Sequence, residues 1–169
     1  MIIYKDAVTS DELLTDAKKL TVIEDFFFEV DGKNIQVSNQ IDEALIGGNA
    51  SAEDAPESTN DGVETKIDVI ESARLVSVPY DKKSYQKHIK DYIAAILKKK
   101  ESESEDEAAT FKKRAGAAVK KVLENFKNWE FYTGESMNPD GMVILMDYRE
   151  DGITPYFWFI KDGLIAEKV

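Results

Sequence analysis

The chain has 169 residues, 43% of them apolar with 8 Phe, 7 Tyr and 2 Trp, enough for one core, so a single domain over residues 1–169 is expected. Its net charge of −11 disfavours nucleic acid and anionic lipid as partners of the bulk surface. With no cysteine and one histidine, His88, it cannot form disulfides, thiolate zinc sites, thiol nucleophiles or imidazole clusters for zinc or iron. No basic-then-apolar leader and no apolar run of membrane-spanning length is seen, so a cytoplasmic protein is expected.

Near the start, Ser10-Asp11-Glu12 has the composition of a turn or a short helix start, where acids are favoured for local reasons. Phe26–Val30 and Lys33–Val37 read as strands bracketing Asp31-Gly32, a dipeptide suited to a tight two-residue hairpin. Between Asp42 and Glu64 stand seven acids and no Lys or Arg, which predicts a mobile acidic loop, either functional or merely disordered.

After Asp81, an N-cap candidate, Tyr85, Ile89, Tyr92, Ile93, Ile96 and Leu97 recur at helical spacing, predicting an amphipathic helix that ends near Lys100. An acidic connector, Glu101 to Glu107, leads to a second stripe of Phe111, Ala115, Ala118, Val119, Val122, Leu123 and Phe126. Together they predict an antiparallel helical hairpin over 81–127. Residues 82–127 carry 13 Lys/Arg against 7 acids, a local charge of +6, leaving −17 for the rest. That asymmetry suits recruitment of an acidic partner, and it equally describes two solvated helix faces whose lysine stems shield apolar atoms. His88, one position before Ile89, reads as a boundary residue rather than a ligand or base.

Gly134-Glu135-Ser136 lacks the G-x-S-x-G pattern of a nucleophile elbow. Gly134 instead suits a turn after Phe131-Tyr132, and Glu135 a hydrogen bond to neighbouring backbone. Met142–Tyr148 and Tyr156–Ile160 read as strands flanking Glu150-Asp151-Gly152, and Asp162-Gly163 turns the chain into Leu164-Ile165-Ala166. Strands at both ends around a helical hairpin make an α+β protein, though imperfect alternation leaves the register open.

Two segments carry a family resemblance. Ile46-Gly47-Gly48-Asn49-Ala50-Ser51-Ala52-Glu53-Asp54 resembles the first signature of the translationally controlled tumour protein family, with Ala50 where the family has proline. Phe126-Lys127-Asn128-Trp129-Glu130-Phe131-Tyr132-Thr133-Gly134-Glu135-Ser136-Met137 resembles the second more fully. Tyr4-Lys5-Asp6, Asp11-Glu12-Leu13, Asp81 to Tyr85, Ile89-Lys90 and Tyr148 to Tyr156 extend the likeness along the whole chain, and its last third resembles fungal members.

The resemblance implies a tent-like, mainly antiparallel β core with a projecting antiparallel helical hairpin and a mobile acidic loop. That fold is shared with a zinc-binding accessory protein of small GTPases and with methionine sulfoxide reductases, whose chemistries need cysteines absent here. It further implies a non-enzymatic, monomeric, multivalent interaction protein tied to microtubules, to ribosomes or elongation factors in protein synthesis, and to growth control and stress responses. Tubulin binding would fall on the basic hairpin, at Lys87, Lys90, Lys98, Lys99, Lys112, Lys113, Lys120 and Lys121. The alternative is nucleotide exchange on a Ras-like small GTPase, with Glu12 competing for the nucleotide's cation or the phosphate-binding lysine. No cofactor is implied beyond weak calcium at acidic surface, in the 42–64 stretch or around Asp147, Glu150 and Asp151, none with EF-hand spacing. A partly cytoskeletal location, with relocation to mitochondria under stress, belongs to the same expectation.

Overall fold

Residues 1–38 and 63–169 are described by the computed structural model. Five strands precede the segment 39–62: β1 (Ile2–Asp6), β2 (Glu12–Thr15), β3 (Thr21–Ile23), β4 (Phe27–Asp31) and β5 (Asn34–Ser38). After it come β6 (Val63–Ile67), the short helix α1 (Asp68–Ala73), β7 (Val76–Val78), and the long helices α2 (Lys82–Glu103) and α3 (Glu105–Glu124). The chain closes with β8 (Glu130–Thr133), β9 (Ile144–Tyr148), β10 (Pro155–Ile160) and β11 (Leu164–Lys168). The strands form sheets in the orders β11-β1-β2, β3-β4-β10-β9-β8-β7 and β5-β6, every pair antiparallel. The architecture is α+β with a helical hairpin, as the sequence leads one to expect.

The Asp31-Gly32 hairpin does not form. β4 pairs with β3 and β10, while β5 pairs with β6 across the segment 39–62. Gly32 N–H donates to Pro155 O at 2.8 Å, which carries the β4–β10 ladder one residue further. The glycine serves close packing instead of a turn: a Cβ there would meet Ile67 Cγ2 and Phe157 Cε1 at 3.0 Å. The second turn signal does work locally. β9 and β10 are joined through Gly152 at φ 70°, with the Asp151 carboxylate accepting from Ile153 and Thr154 N–H at 2.8 Å each.

Strand β10 explains the imperfect alternation. Pro155, Phe157, Trp158, Phe159 and Ile160 are all buried, and Ile144, Leu145 and Met146 of β9 likewise. A central strand covered on both faces reads as a continuous apolar run, so period two is lost from the sequence.

Asp81 caps α2, its carboxylate accepting from Ser84 N–H at 2.7 Å. The predicted acidic connector is mostly helical: α2 runs on to Glu103, and Ser104 alone breaks the helices. Ser104 ends α2 and caps α3, accepting from Glu107 N–H, and Glu105, Asp106 and Glu107 occupy the first turn of α3, where the helix dipole favours acids. The inward faces bury Tyr85, Ile89, Tyr92 and Ile96 of α2 and Phe111, Ala115, Ala118 and Val122 of α3. They meet the rest of the core through Phe111 stacked on Phe26 (5.5 Å between centroids) and Tyr85 against Phe131 (5.3 Å).

Candidate functional site

The cations of the hairpin fall into two sets. Those turned toward the sheets are held in ion pairs: Lys100 with Asp162 at 3.0 Å, Arg114 with Asp25 at 2.7 Å and Lys121 with Glu24 at 3.2 Å. Lys100 also lies over the Phe111 ring and Lys121 over the Trp158 ring. Lys121, grouped by sequence with the partner-binding lysines, is thus engaged within the molecule, and Lys100 and Arg114 are anchors of the hairpin. Lys87, Lys90, Lys98, Lys99, Lys112, Lys113 and Lys120, and with them Lys82, Lys83 and Lys127, are exposed and form no ion pair among the described residues.

Lys90 and Lys112 come together across the two helices, on the rim of a groove of about 300 Å³. Its floor is apolar, from Ile89 and Ile93 of α2 and Ala115, Val119 and Leu123 of α3. Lys113, Gly116 and Lys120 recur at i, i+3 and i+7 and so share one face of α3. Lys98 and Lys99 stand roughly two helical turns beyond Lys90, nearer the tip of the hairpin.

Glu12 lies elsewhere, exposed at the start of β2 and opposite Lys5 of β1. The turn before it is clasped by the second signature segment: Asp11 Oδ2 accepts from Ser136 Oγ at 2.6 Å and from Ser136 N–H at 3.3 Å. Gly134 lies against Asp11, where an added Cβ would stand 2.8 Å from Asp11 Cβ. Left-handed backbone falls at Ser10 (φ 66°) and Met137 (φ 57°), not at Gly134, so the glycine is required by proximity and not by its own turn. Glu135 pairs with the Arg74 guanidinium at 3.0 Å, in place of the expected backbone bond. Phe131 is buried, Tyr132 half-buried, and Met137 exposed. The first-signature residues Gly47, Gly48, Asn49, Ser51 and Glu53 lie outside the described residues.

His88 sits beside the hairpin's contact with the loop before β9. Its Nε2–H donates to Gly141 O at 2.7 Å, and its Nδ1 is buried without a partner among the described residues. Burial lowers its pKa, against the opposing pull of the Gly141 carbonyl and of Asp91, Asp140 and Asp6. A cleft of about 560 Å³ opens beside β4 and β10, and its Lys18 and Arg149 are held by Asp68 and by Glu29 and Asp31. Among the described residues, no group of three or more His, Asp or Glu side chains is arranged to hold a metal ion. Asp151 is occupied in its turn, Asp147 accepts from Tyr148 N–H at 2.7 Å, and Glu150 is exposed. No helix among the described residues is long and apolar enough to cross a membrane.

An antiparallel α+β core with a two-helix basic projection and a separate clasped acidic turn defines a protein built around distinct charged surfaces. A model of the family described as translationally controlled tumour protein matches residues 1–165. Translationally controlled tumour protein homologues from Xenopus tropicalis, Branchiostoma belcheri and Schizosaccharomyces pombe are 49%, 47% and 46% identical, each alignment covering 99% of both chains. The solved structure of the S. pombe protein superposes with a TM-score of 0.83 at 46% identity, covering 100% of both chains. The structure from Caenorhabditis elegans superposes at 0.71 with 28% identity, over 100% of this chain and 99% of that one. The chain therefore belongs to the translationally controlled tumour protein family.

Proposed function

We propose that this is a non-enzymatic interaction protein whose basic hairpin docks on an acidic protein surface, with tubulin in microtubules as the first partner to test. One observation carries the reading: three hairpin cations facing the sheets are paired internally, whereas the other ten, all exposed lysines, form no ion pair among the described residues. On a chain of net charge −11, such a face attracts acidic partners while the remaining surface repels them. Ribosomes or elongation factors with acidic surfaces fit the same chemistry, and calcium association on this reading is weak and confined to the acidic surface.

The test is co-sedimentation with assembled microtubules over a salt series. Wild type should pellet at low salt and be released as salt rises, and Lys112→Glu/Lys113→Glu/Lys120→Glu should stay in the supernatant. Failure of wild type to pellet at low salt removes the hairpin assignment.

A second reading rests on the clasp between Asp11 and Ser136, which holds Glu12 out from the start of β2. On this reading Glu12 contacts a Ras-like GTPase and weakens its hold on nucleotide and Mg²⁺. Release of a fluorescent nucleotide from such a GTPase should accelerate with wild type and not with Glu12→Gln; equal rates with and without the protein remove it.

A further inference from the structure

Gly116 has no structural reason to be glycine. It lies in the interior of α3, is exposed, and a Cβ added there would meet nothing within 4 Å. Its φ is not in the left-handed region. Glycine in a helix interior is destabilising relative to alanine, so this position forgoes stability that a single methyl group would restore without a clash. What the missing side chain does is leave the groove between α2 and α3 open, since Gly116 is one of its lining residues.

The surroundings state what would fill it. The floor is aliphatic, from Ile89, Ile93, Val119 and Leu123, so it is suited to apolar side chains. The rim carries Lys90 and Lys112, and Lys113 and Lys120 continue the positive charge along α3. A second copy of this hairpin would bring lysines against lysines, which argues against self-association through this face. An apolar stripe flanked by carboxylates fits both the floor and the rim.

We infer that the groove between α2 and α3 is the seat of an acidic amphipathic helix from a partner protein, whose apolar side chains pack over Gly116 while its carboxylates meet Lys90 and Lys112. The inference rests on the hairpin being the docking face and adds a requirement: acid alone is insufficient, and an apolar anchor must enter the groove. Two helices at close approach recognise a third in this manner, through residues at i, i+3, i+4 and i+7.

The experiment uses the full chain and two labelled probes. One is a Leu/Glu peptide with leucines at i, i+3, i+4 and i+7 and glutamates elsewhere; the other is polyglutamate. Fluorescence anisotropy should show the Leu/Glu peptide bound more tightly than polyglutamate, with amide shifts in wild type centred on Ala115–Val119. Gly116→Leu should fill the groove and weaken the Leu/Glu peptide about tenfold while leaving polyglutamate unchanged. The same variant keeps the fold, and Gly116→Ala should raise the thermal midpoint by about 2–4 °C, as relief of a helical glycine predicts. Equal binding of both peptides, or Gly116→Leu binding like wild type, overturns the groove while leaving the basic face standing. Binding of neither peptide to wild type overturns both readings. Sedimentation at twice the monomer mass, lost in Gly116→Leu, overturns the acidic helix in favour of a second copy.

Discussion

The Tyr92 hydroxyl donates a 2.9 Å hydrogen bond to Asp6 Oδ1, joining the middle of the hairpin to the end of β1 across 86 residues of sequence. Asp6 is buried and also accepts from Val8 N–H at 2.9 Å and Met142 N–H at 2.7 Å. One carboxylate thus ties together the first strand, the hairpin and the loop before β9. Burial and the Asp6 carboxylate push the Tyr92 phenol above its ordinary range, which favours the protonated hydroxyl as the donor in this bond.

Removing the two partners should therefore have unequal effects. Tyr92→Phe deletes one bond to a charged acceptor and should destabilise by about 1.5–3 kcal/mol. Asp6→Ala leaves Val8 N–H and Met142 N–H without an acceptor and the Tyr92 hydroxyl with only the longer 3.4 Å bond to Gly163 O, and should cost more, about 3 kcal/mol or above. Urea denaturation midpoints check this, and an Asp6→Ala effect smaller than that of Tyr92→Phe contradicts the arrangement.

Gly134→Ala drives a methyl group into Asp11, since the added Cβ would lie 2.8 Å from Asp11 Cβ. The expected loss is about 1–3 kcal/mol, with amide shifts at Ser10, Asp11 and Glu12 as the turn is displaced. Asp11→Ala, which removes only the bonds to Ser136, should cost about 1 kcal/mol. A Gly134→Ala protein as stable as wild type would show that the two segments are not in contact.

His88 gives a pH dependence with a definite sign. Burial lowers its pKa below the ordinary 6.5, so the folded protein prefers the neutral ring. The unfolded chain takes up the proton first as pH falls, so this contribution to stability is complete above pH 6.5 and declines as pH drops toward the folded value. As the sole histidine, its ring signals in NMR need no assignment. Their titration midpoint should lie below 6.5, and lower again in Asp140→Asn, because Asp140 favours the charged ring. A midpoint above 6.5 rejects the buried neutral state.

The hairpin was legible because its signals are local. Periodicity from Tyr85 to Leu97 and the Asp81 cap act through neighbours three or four residues away, and both reappear in α2. Its acidic stretch reads as a connector in sequence but is helical on both sides of Ser104: charge at Glu105 to Glu107 marks a helix start, and only the Ser104 hydroxyl marks where one helix stops and the next begins. The Asp31-Gly32 dipeptide carries a turn propensity that the pairing of β4 with β10 and β3, and of β5 with β6, overrides. The anchors Asp6–Tyr92 and Asp11–Gly134 left no signal that composition or spacing detects; only Tyr4-Lys5-Asp6 and Asp11-Glu12-Leu13, as parts of the family pattern, pointed to those segments at all.

By itself, the sequence determined the chemistry that is excluded, the amphipathic helices, the charge asymmetry and the family. These depend on residue identity and on neighbours within one helical turn. Which strands pair, and which hairpin cations are held in ion pairs, was decided only by the tertiary structure. Lys100, Arg114 and Lys121 look like Lys90 and Lys112 in sequence, and differ because Asp162, Asp25 and Glu24 are brought beside them by the packing of α3 and Phe111 onto Phe26. A charge finds its partner through distance in space, and that distance is set by how the apolar faces close on one another.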